Sequence, residues 1–315
     1  SGLVPSAPHV ERLRAMRDDC VVAVAKSEAE ALAHAPDTDI ILGHRYLRQT
    51  LPHTHMLQWI QSTAAGVDHL VSPELLRIQP LLTRCPIFGE EIAWHAWALV
   101  LALVRRLPAA HTAQIGGRWA PAEVHPLPYP RRAMVLGMGV IGQHLGCLLR
   151  HNGLYVIGVN RSPRDDARRA CDLLVDARNW RKHLPEADVL FSTLPYTRAT
   201  DRILDAATLR MLPAHAVVVN VGRGGTIDTS ALTTLLRAGA LGGAALDVVD
   251  PLPGPEEVDF WATPNLLITP KVATFVPDRQ EKLERFFEEQ VERFLKGEAP
   301  EYTVRLDHLY AEVVP

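Results

Sequence analysis

Ala133-Met-Val-Leu-Gly-Met-Gly-Val-Ile-Gly142 is the stretch that decides the fold. Ala133–Leu136 reads as a short buried strand, and Gly137, Gly139 and Gly142 follow it in the spacing G-x-G-x-x-G. Leu145, Leu148 and Leu149 then suit a helix. Strand, glycine turn and helix in that order make the dinucleotide fingerprint. Gly137 would form the tight turn, Gly139 would let a pyrophosphate approach the backbone, and Gly142 would let helix and strand pack closely. The phosphates are expected on free N–H groups of the run Gly137, Met138, Gly139, Val140, Ile141, Gly142, at the positive end of the helix dipole. A second strand, Leu154–Val159, arrives on schedule.

Outward from this turn the same rhythm continues. Asp172–Val175, Asp188–Thr193, Ala216–Asn220, Ala244–Val248 and Leu266–Thr269 read as further strands, with helical patterns such as Thr229–Ala238 between them. Upstream, Cys20–Ala25, Asp39–Gly43 and Leu57–Ser62 form a separate strand series, interleaved with helical Ser27–His34 and Arg45–Leu51. Both series predict α/β architecture with parallel sheets. Pro86 closes the upstream series, and a long apolar helix, Glu90–Leu107, is expected to end at Pro108. Residues 116–130 are dense in Gly and Pro and read as loop. Arg279–Leu295 is amphipathic, and the tail Tyr302–Leu306 alternates like a strand that could return to the first sheet. The first domain is then discontinuous, 1–90 with 279–315, around a dinucleotide-binding domain at 91–278.

Composition narrows the function. A length of 315 residues exceeds one small core. A formal net charge of −3, with no run of Lys and Arg, argues against a nucleic-acid partner. The apolar stretch Ile92–Val104 is too short for a bilayer span and reads as a buried helix, so no membrane association is expected. Cys20, Cys85, Cys147 and Cys171 are scattered with no C-x-x-C pair, which speaks against zinc or a disulfide framework and for a reducing cytoplasm. The start Ser1-Gly-Leu-Val-Pro5 lacks the features of a signal peptide.

The second strand of a dinucleotide fold usually ends in a carboxylate that holds the ribose hydroxyls. Here it ends in Asn160-Arg161-Ser162, with Arg164 nearby. A neutral Asn followed by a cation and a hydroxyl suits a 2′-phosphate, so NADP(H) is expected over NAD(H).

Several segments together resemble one family. They are Trp59–Asp68 (Trp-Ile-Gln-Ser-Thr-Ala-Ala-Gly-Val-Asp), the turn Gly137–Gly142, Val219–Gly225 (Val-Asn-Val-Gly-Arg-Gly-Gly), Gly243–Val248 and Ile268–Ala273. The chain resembles the D-isomer-specific 2-hydroxyacid dehydrogenases from about residue 38 to 296, particularly the NADPH-dependent glyoxylate/hydroxypyruvate reductase branch. The resemblance implies two Rossmann-like domains with the active site in the cleft, a homodimer, and a small 2-oxo or 2-hydroxy acid as substrate. It gives Arg223 to the substrate's keto and carboxylate oxygens, a role that suits a permanently charged fork of donors. It gives the turn Ala65-Gly66 to the substrate carboxylate, Asp247 to the nicotinamide amide, and Leu194 and Pro195 to the cofactor wall, with Val221 and Lys271 as further cofactor-binding candidates.

Two departures stand out. The family's acid is a His in Thr-Pro-His, whereas this chain reads Thr269-Pro270-Lys271. The carboxylate that orients that His is usually a Glu before Pro-Leu-Pro; here Asp250 precedes Pro251-Leu252-Pro253, on a link two residues shorter. A lysine ammonium can protonate the alkoxide left by hydride transfer, yet it rarely accepts a proton at neutral pH. Lys271, with Asp250 as its partner, therefore predicts a catalyst biased towards reduction. Lys271 could instead bind a second anionic group of the substrate, with a neighbouring His carrying the proton. His44, His53, His55, His95 and His125 are the sequence neighbours, none of them favoured. The alternative for the whole chain is a catalytically impaired NADP(H)-binding sensor or regulatory protein of the same fold.

Overall fold

The computed structural model describes residues 4–121, 124–161 and 165–307. The described residues divide into two compact units: those up to Phe88 together with 275–307, and those within Gly89–Thr274.

In the first unit, β1 (Ile40–Leu42), β2 (Trp59–Gln61) and β3 (Leu81–Thr83) form a parallel sheet in the order β1-β2-β3. Apolar side chains on both faces explain the parallel arrangement, because such strands must be covered twice. Ile60, Leu82, Leu47, Leu51 and Leu75 fill one side. Trp59 packs on the other with Leu13 and Val291, its ring stacked on Phe294. The helix Arg279–Leu295 has the expected bounds, and Ala7–Arg14 lies against it through Ser6, which bonds Glu284, and His9, whose Nδ1 is 2.6 Å from Glu288.

Two expectations for this unit need correcting. Cys20–Ala25 alternates in exposure yet pairs with no strand among the described residues, and the carbonyl of Val22 is taken by the Arg14 guanidinium. The tail returns to the sheet only as an isolated bridge between Thr303 and Thr83, supported by Val304 N–H donating to the Leu82 carbonyl. β3 itself is a strand the alternation pattern missed.

The second unit is a seven-stranded parallel sheet. Its strands are β4 (Arg132–Leu136), β5 (Tyr155–Asn160), β6 (Leu173–Asp176), β7 (Val189–Ser192), β8 (Val217–Asn220), β9 (Gly243–Leu246) and β10 (Leu266–Ile268), in the order β10-β9-β8-β7-β4-β5-β6. Strand order reverses between β4 and β7, the switch point where such sheets bind ligands outside their carboxyl ends. Near-continuous apolar runs such as Val217-Val-Val219 are buried on both faces. The long apolar helix is Gly89–Val104 and not Glu90–Leu107. Pro108 does not end it. A separate helix, Leu107–Ile115, carries Pro108 in its first turn, where a missing N–H costs nothing, and Arg106 between the two takes a left-handed φ of 56°. No helix among the described residues is long and apolar enough to cross a membrane.

Candidate functional site

Every described candidate residue of the second unit lies at or just after the carboxyl end of a strand, and the parallel register sets their order. Across the sheet edge, β10 leads to Lys271, β9 to Asp247 and Asp250, β8 to Val221 and Arg223, β7 to Leu194 and Pro195, β4 to the glycine turn, and β5 to Asn160 and Arg161. Register pairs Asn220 with Leu246 and Leu246 with Ile268, so the ends of β8, β9 and β10 are level. With strands about 4.8 Å apart, Arg223 and Lys271 start from points roughly 10 Å from each other.

At the glycine turn each residue has a steric reason. Gly137 has a φ of 94°, and its carbonyl accepts the Thr193 hydroxyl at 2.7 Å. A Cβ on Gly142 would collide with the carbonyl oxygen of Gly137, so helix and turn can be this close only without one. A Cβ on Gly139 would meet nothing within 4 Å: that face of the turn is open. Gly139 is also the N-cap of the helix Val140–His151 and supplies no side-chain cap, which leaves the first-turn N–H groups to a ligand. Met138 turns inward and is buried. These features fit a pyrophosphate. At the end of β5, the Asn160 carboxamide accepts the Arg161 N–H at 2.9 Å. Ser162 and Arg164 lie outside the described residues.

Arg223 is placed by Asn220. The carboxamide of this buried residue accepts the Gly222 N–H at 3.0 Å and donates to the Arg223 carbonyl at 2.9 Å, fastening both ends of the turn. The Thr226 hydroxyl donates to the same carbonyl at 2.7 Å. The flanking glycines allow three loops to meet: a Cβ on Gly222 would strike the Leu194 backbone, one on Gly224 the Val249–Asp250 backbone, and one on Gly225 the Tyr196 ring. The half-buried Arg223 guanidinium also donates to the Gly222 carbonyl at 3.0 Å.

Lys271 has a left-handed φ of 56°, uncommon for a residue with a side chain. Its N–H donates to the carbonyls of Asp247 and Thr269, both at 2.9 Å. The side chain is exposed. The expected pair with Asp250 is not made: among the described residues neither side chain has an ion pair or hydrogen bond. Asp250 instead lines a cavity of about 820 Å³ with Arg202, Asp228 and Pro253, and neither Lys271 nor Arg223 borders it.

Asp247 is bonded into the turn that carries Lys271. Its buried carboxylate accepts the Thr269 hydroxyl at 2.7 Å, the Val272 N–H at 3.0 Å and the Ala273 N–H at 3.3 Å. His95 Nε2 lies 3.1 Å from Thr269 Oγ1 and 3.4 Å from Asp247 Oδ1. Burial works to raise the Asp247 carboxyl, but the bonds from His95, Thr269, Val272 and Ala273 outweigh it and hold it below the ordinary carboxylate range. His95 was one of several undistinguished histidines in the sequence. Its only signal is a polar ring inside an apolar helix, and its partners are about 150 to 175 residues downstream.

In the first unit, the turn after β2 is braced by Ser62, whose hydroxyl accepts the Ala64 N–H at 3.1 Å and lies 3.2 Å from His44 Nδ1. Among the described residues the N–H groups of Ala65 and Gly66 have no hydrogen bond. A cavity of about 110 Å³ beside His44 is also lined by Arg45, Arg48 and His69.

Known proteins match this arrangement. The family described as D-isomer specific 2-hydroxyacid dehydrogenase, NAD binding domain, matches residues 97–273. The chain is 26% identical to the glyoxylate reductase of Thermococcus litoralis over 271 residues, 83% of this chain and 81% of the relative. A D-isomer specific 2-hydroxyacid dehydrogenase family protein from Aeromonas salmonicida superimposes with a TM-score of 0.80 at 30% identity, covering 95% of this chain and 96% of that one. A D-isomer specific 2-hydroxyacid dehydrogenase from Xanthobacter autotrophicus, solved with NADPH and MES, gives a TM-score of 0.76 at 26% identity over 98% and 97% of the two chains. The resemblance read from the motifs is thus met by the sheet, the glycine turn and the matches alike, and the chain belongs to the D-isomer specific 2-hydroxyacid dehydrogenase family.

Proposed function

We propose that this protein reduces a small 2-oxo acid of the glyoxylate or hydroxypyruvate type to the D-2-hydroxy acid, with NADPH as reductant and Lys271 as proton donor. The observation that carries the reading is the order of groups along one sheet edge. The open glycine turn sits at the switch point, Asn160 and Arg161 lie to one side of it, and Arg223 and Lys271 to the other. When bound, the nicotinamide supplies the hydride. Arg223, fixed by Asn220, holds the keto and carboxylate oxygens. As negative charge grows on the keto oxygen, the Lys271 ammonium stabilises it and transfers a proton from Nζ. Water can replace that proton, because the side chain is exposed. Asp250 contributes only through space; its charge is among the influences that raise the Tyr196 phenol, after burial and the bond to Asp201. In the smaller unit, the N–H groups of Ala65 and Gly66 are the proposed binders of the substrate carboxylate.

The preference for NADPH rests on the neutral Asn160 at the end of β5, where a carboxylate would repel a 2′-phosphate. The Thermococcus relative, a glyoxylate reductase, and the NADPH-bound Xanthobacter structure support substrate class and cofactor. A homodimer is supported by Trp94, Leu101, Leu107 and Ile115, which stay exposed on the helices Gly89–Val104 and Leu107–Ile115. The test is loss of reduced-nicotinamide absorbance with glyoxylate, hydroxypyruvate and larger 2-oxo acids, using NADPH and NADH in parallel. Turnover with NADPH at higher kcat/KM than with NADH is expected. Tight NADPH binding without turnover on any 2-oxo acid would overturn the reading in favour of a sensor.

A further inference from the structure

Lys271 is held in a left-handed backbone conformation by a cluster whose outermost member is His95. Donor counting fixes how that cluster is wired. The Thr269 hydroxyl has one hydrogen and gives it to Asp247 Oδ1, so Thr269 Oγ1 can only accept from His95. His95 Nε2 therefore carries a hydrogen, shared between Thr269 Oγ1 at 3.1 Å and Asp247 Oδ1 at 3.4 Å. Asp247 in turn takes the N–H groups of Val272 and Ala273, the two residues after Lys271, while its own carbonyl takes the Lys271 N–H. Backbone is thus gripped immediately on both sides of the lysine. His95 comes from the helix Gly89–Val104, which packs against β8 and β9 and buries Ala96, Leu99, Val100 and Leu103. Its ring is fixed to a rigid element, whereas the turn it steadies is a loop.

We propose that His95 is a positioning residue for the proton-donating lysine, acting through Thr269 and Asp247 to hold the 269–273 turn in the conformation that presents Lys271. Without the ring, Thr269 Oγ1 and Asp247 Oδ1 lose their shared donor, and the carboxylate keeps the Thr269 hydroxyl and two backbone N–H groups with no tie from the turn to the helix. The lysine then samples other positions, and misplacement of about 1 Å costs on the order of a hundredfold in rate. The inference rests on the reading of Lys271 as the acid, and its test separates the two.

The experiment compares His95→Leu and His95→Gln with the intact enzyme in glyoxylate reduction by NADPH, alongside amide hydrogen exchange of the segment 269–274. His95→Leu is expected to lower kcat by about tenfold to a hundredfold. KM for glyoxylate and the Kd for NADPH should stay within about twofold, and exchange at Val272 and Ala273 should rise. His95→Gln, which keeps an N–H donor at similar reach, should restore most of both. Native exchange or native kcat in His95→Leu would overturn the proposal. So would a His95→Leu protein whose loss is entirely one of NADPH affinity. Full turnover in Lys271→Ala would overturn the acid role alone, and the exchange data would still judge the clamp.

Discussion

Alanine substitutions at Gly142 and Gly139 should have opposite signatures, because the two glycines are required for different reasons. A methyl on Gly142 collides with the Gly137 carbonyl oxygen and comes within 3.4 Å of Thr193 Oγ1. The obstacle is backbone, and it cannot retreat easily. The Gly137 carbonyl holds the Thr193 hydroxyl at 2.7 Å, and the Gly137 N–H is bonded to the Val159 carbonyl at 3.0 Å. Forcing a carbon into such packing costs about 1–3 kcal/mol. At about 2–4 °C per kcal/mol for a unit of this size, Gly142→Ala should melt roughly 2–12 °C lower. A methyl on Gly139 meets no protein atom within 4 Å, so its only structural penalty is a poorer helix N-cap, at most about 1 kcal/mol. It projects, however, where a pyrophosphate must approach. Loss of one charged hydrogen bond there, about 1.5–3 kcal/mol, weakens NADPH binding by roughly tenfold to a hundredfold. Calorimetry and a fluorescence titration of NADPH separate the two effects. A Gly142→Ala protein that melts like the parent, or a Gly139→Ala protein that binds NADPH like the parent, would refute the steric reasoning.

Other residues make equally specific claims. Asn220→Ala leaves the Gly222 N–H without its buried acceptor, so a destabilisation of about 1–3 kcal/mol is expected together with a rise in KM for the 2-oxo acid, read by urea unfolding and steady-state kinetics. The Asp247 carboxyl lies below its ordinary value in the fold, so its bonds stabilise the protein above the ordinary carboxylate range and that contribution is lost as pH falls through the lowered value. The difference in melting temperature between the parent and Asp247→Asn should therefore narrow from neutral pH to about pH 3. Burial pushes the Cys85 thiol up to about 12, so a thiol reagent under native conditions should label exposed Cys147 and leave Cys85 unmodified until the protein is unfolded.

What the sequence revealed was local. The glycine spacing, the short apolar strands and the amphipathic helix Arg279–Leu295 each depend on neighbours within one element, and each was legible. The misjudged segments depended on distant partners or on the balance between two local signals. β3 is three residues long and becomes a strand by pairing with β2. Cys20–Ala25 has the alternation of a strand but pairs with no strand among the described residues. Pro108 marks a helix boundary either way, and its compatibility with a first turn made it a start. In the site, residue types were readable from motifs, including the unusual Lys271. Its left-handed backbone was not, and neither was the brace that runs from His95 through Thr269 to Asp247, because nothing in a linear pattern joins a helix residue to a turn so far along the chain. That Asp250 makes no pair with Lys271 also needed coordinates, since neighbouring positions in sequence do not fix whether two side chains meet.

The most direct test of the account is the reduction of glyoxylate by saturating NADPH in Lys271→Ala. As the proton donor, Lys271 should be worth about a hundredfold or more in kcat, with KM for glyoxylate little changed. An unchanged kcat with a raised KM would contradict the account, and would make Lys271 a ligand for the substrate's charge.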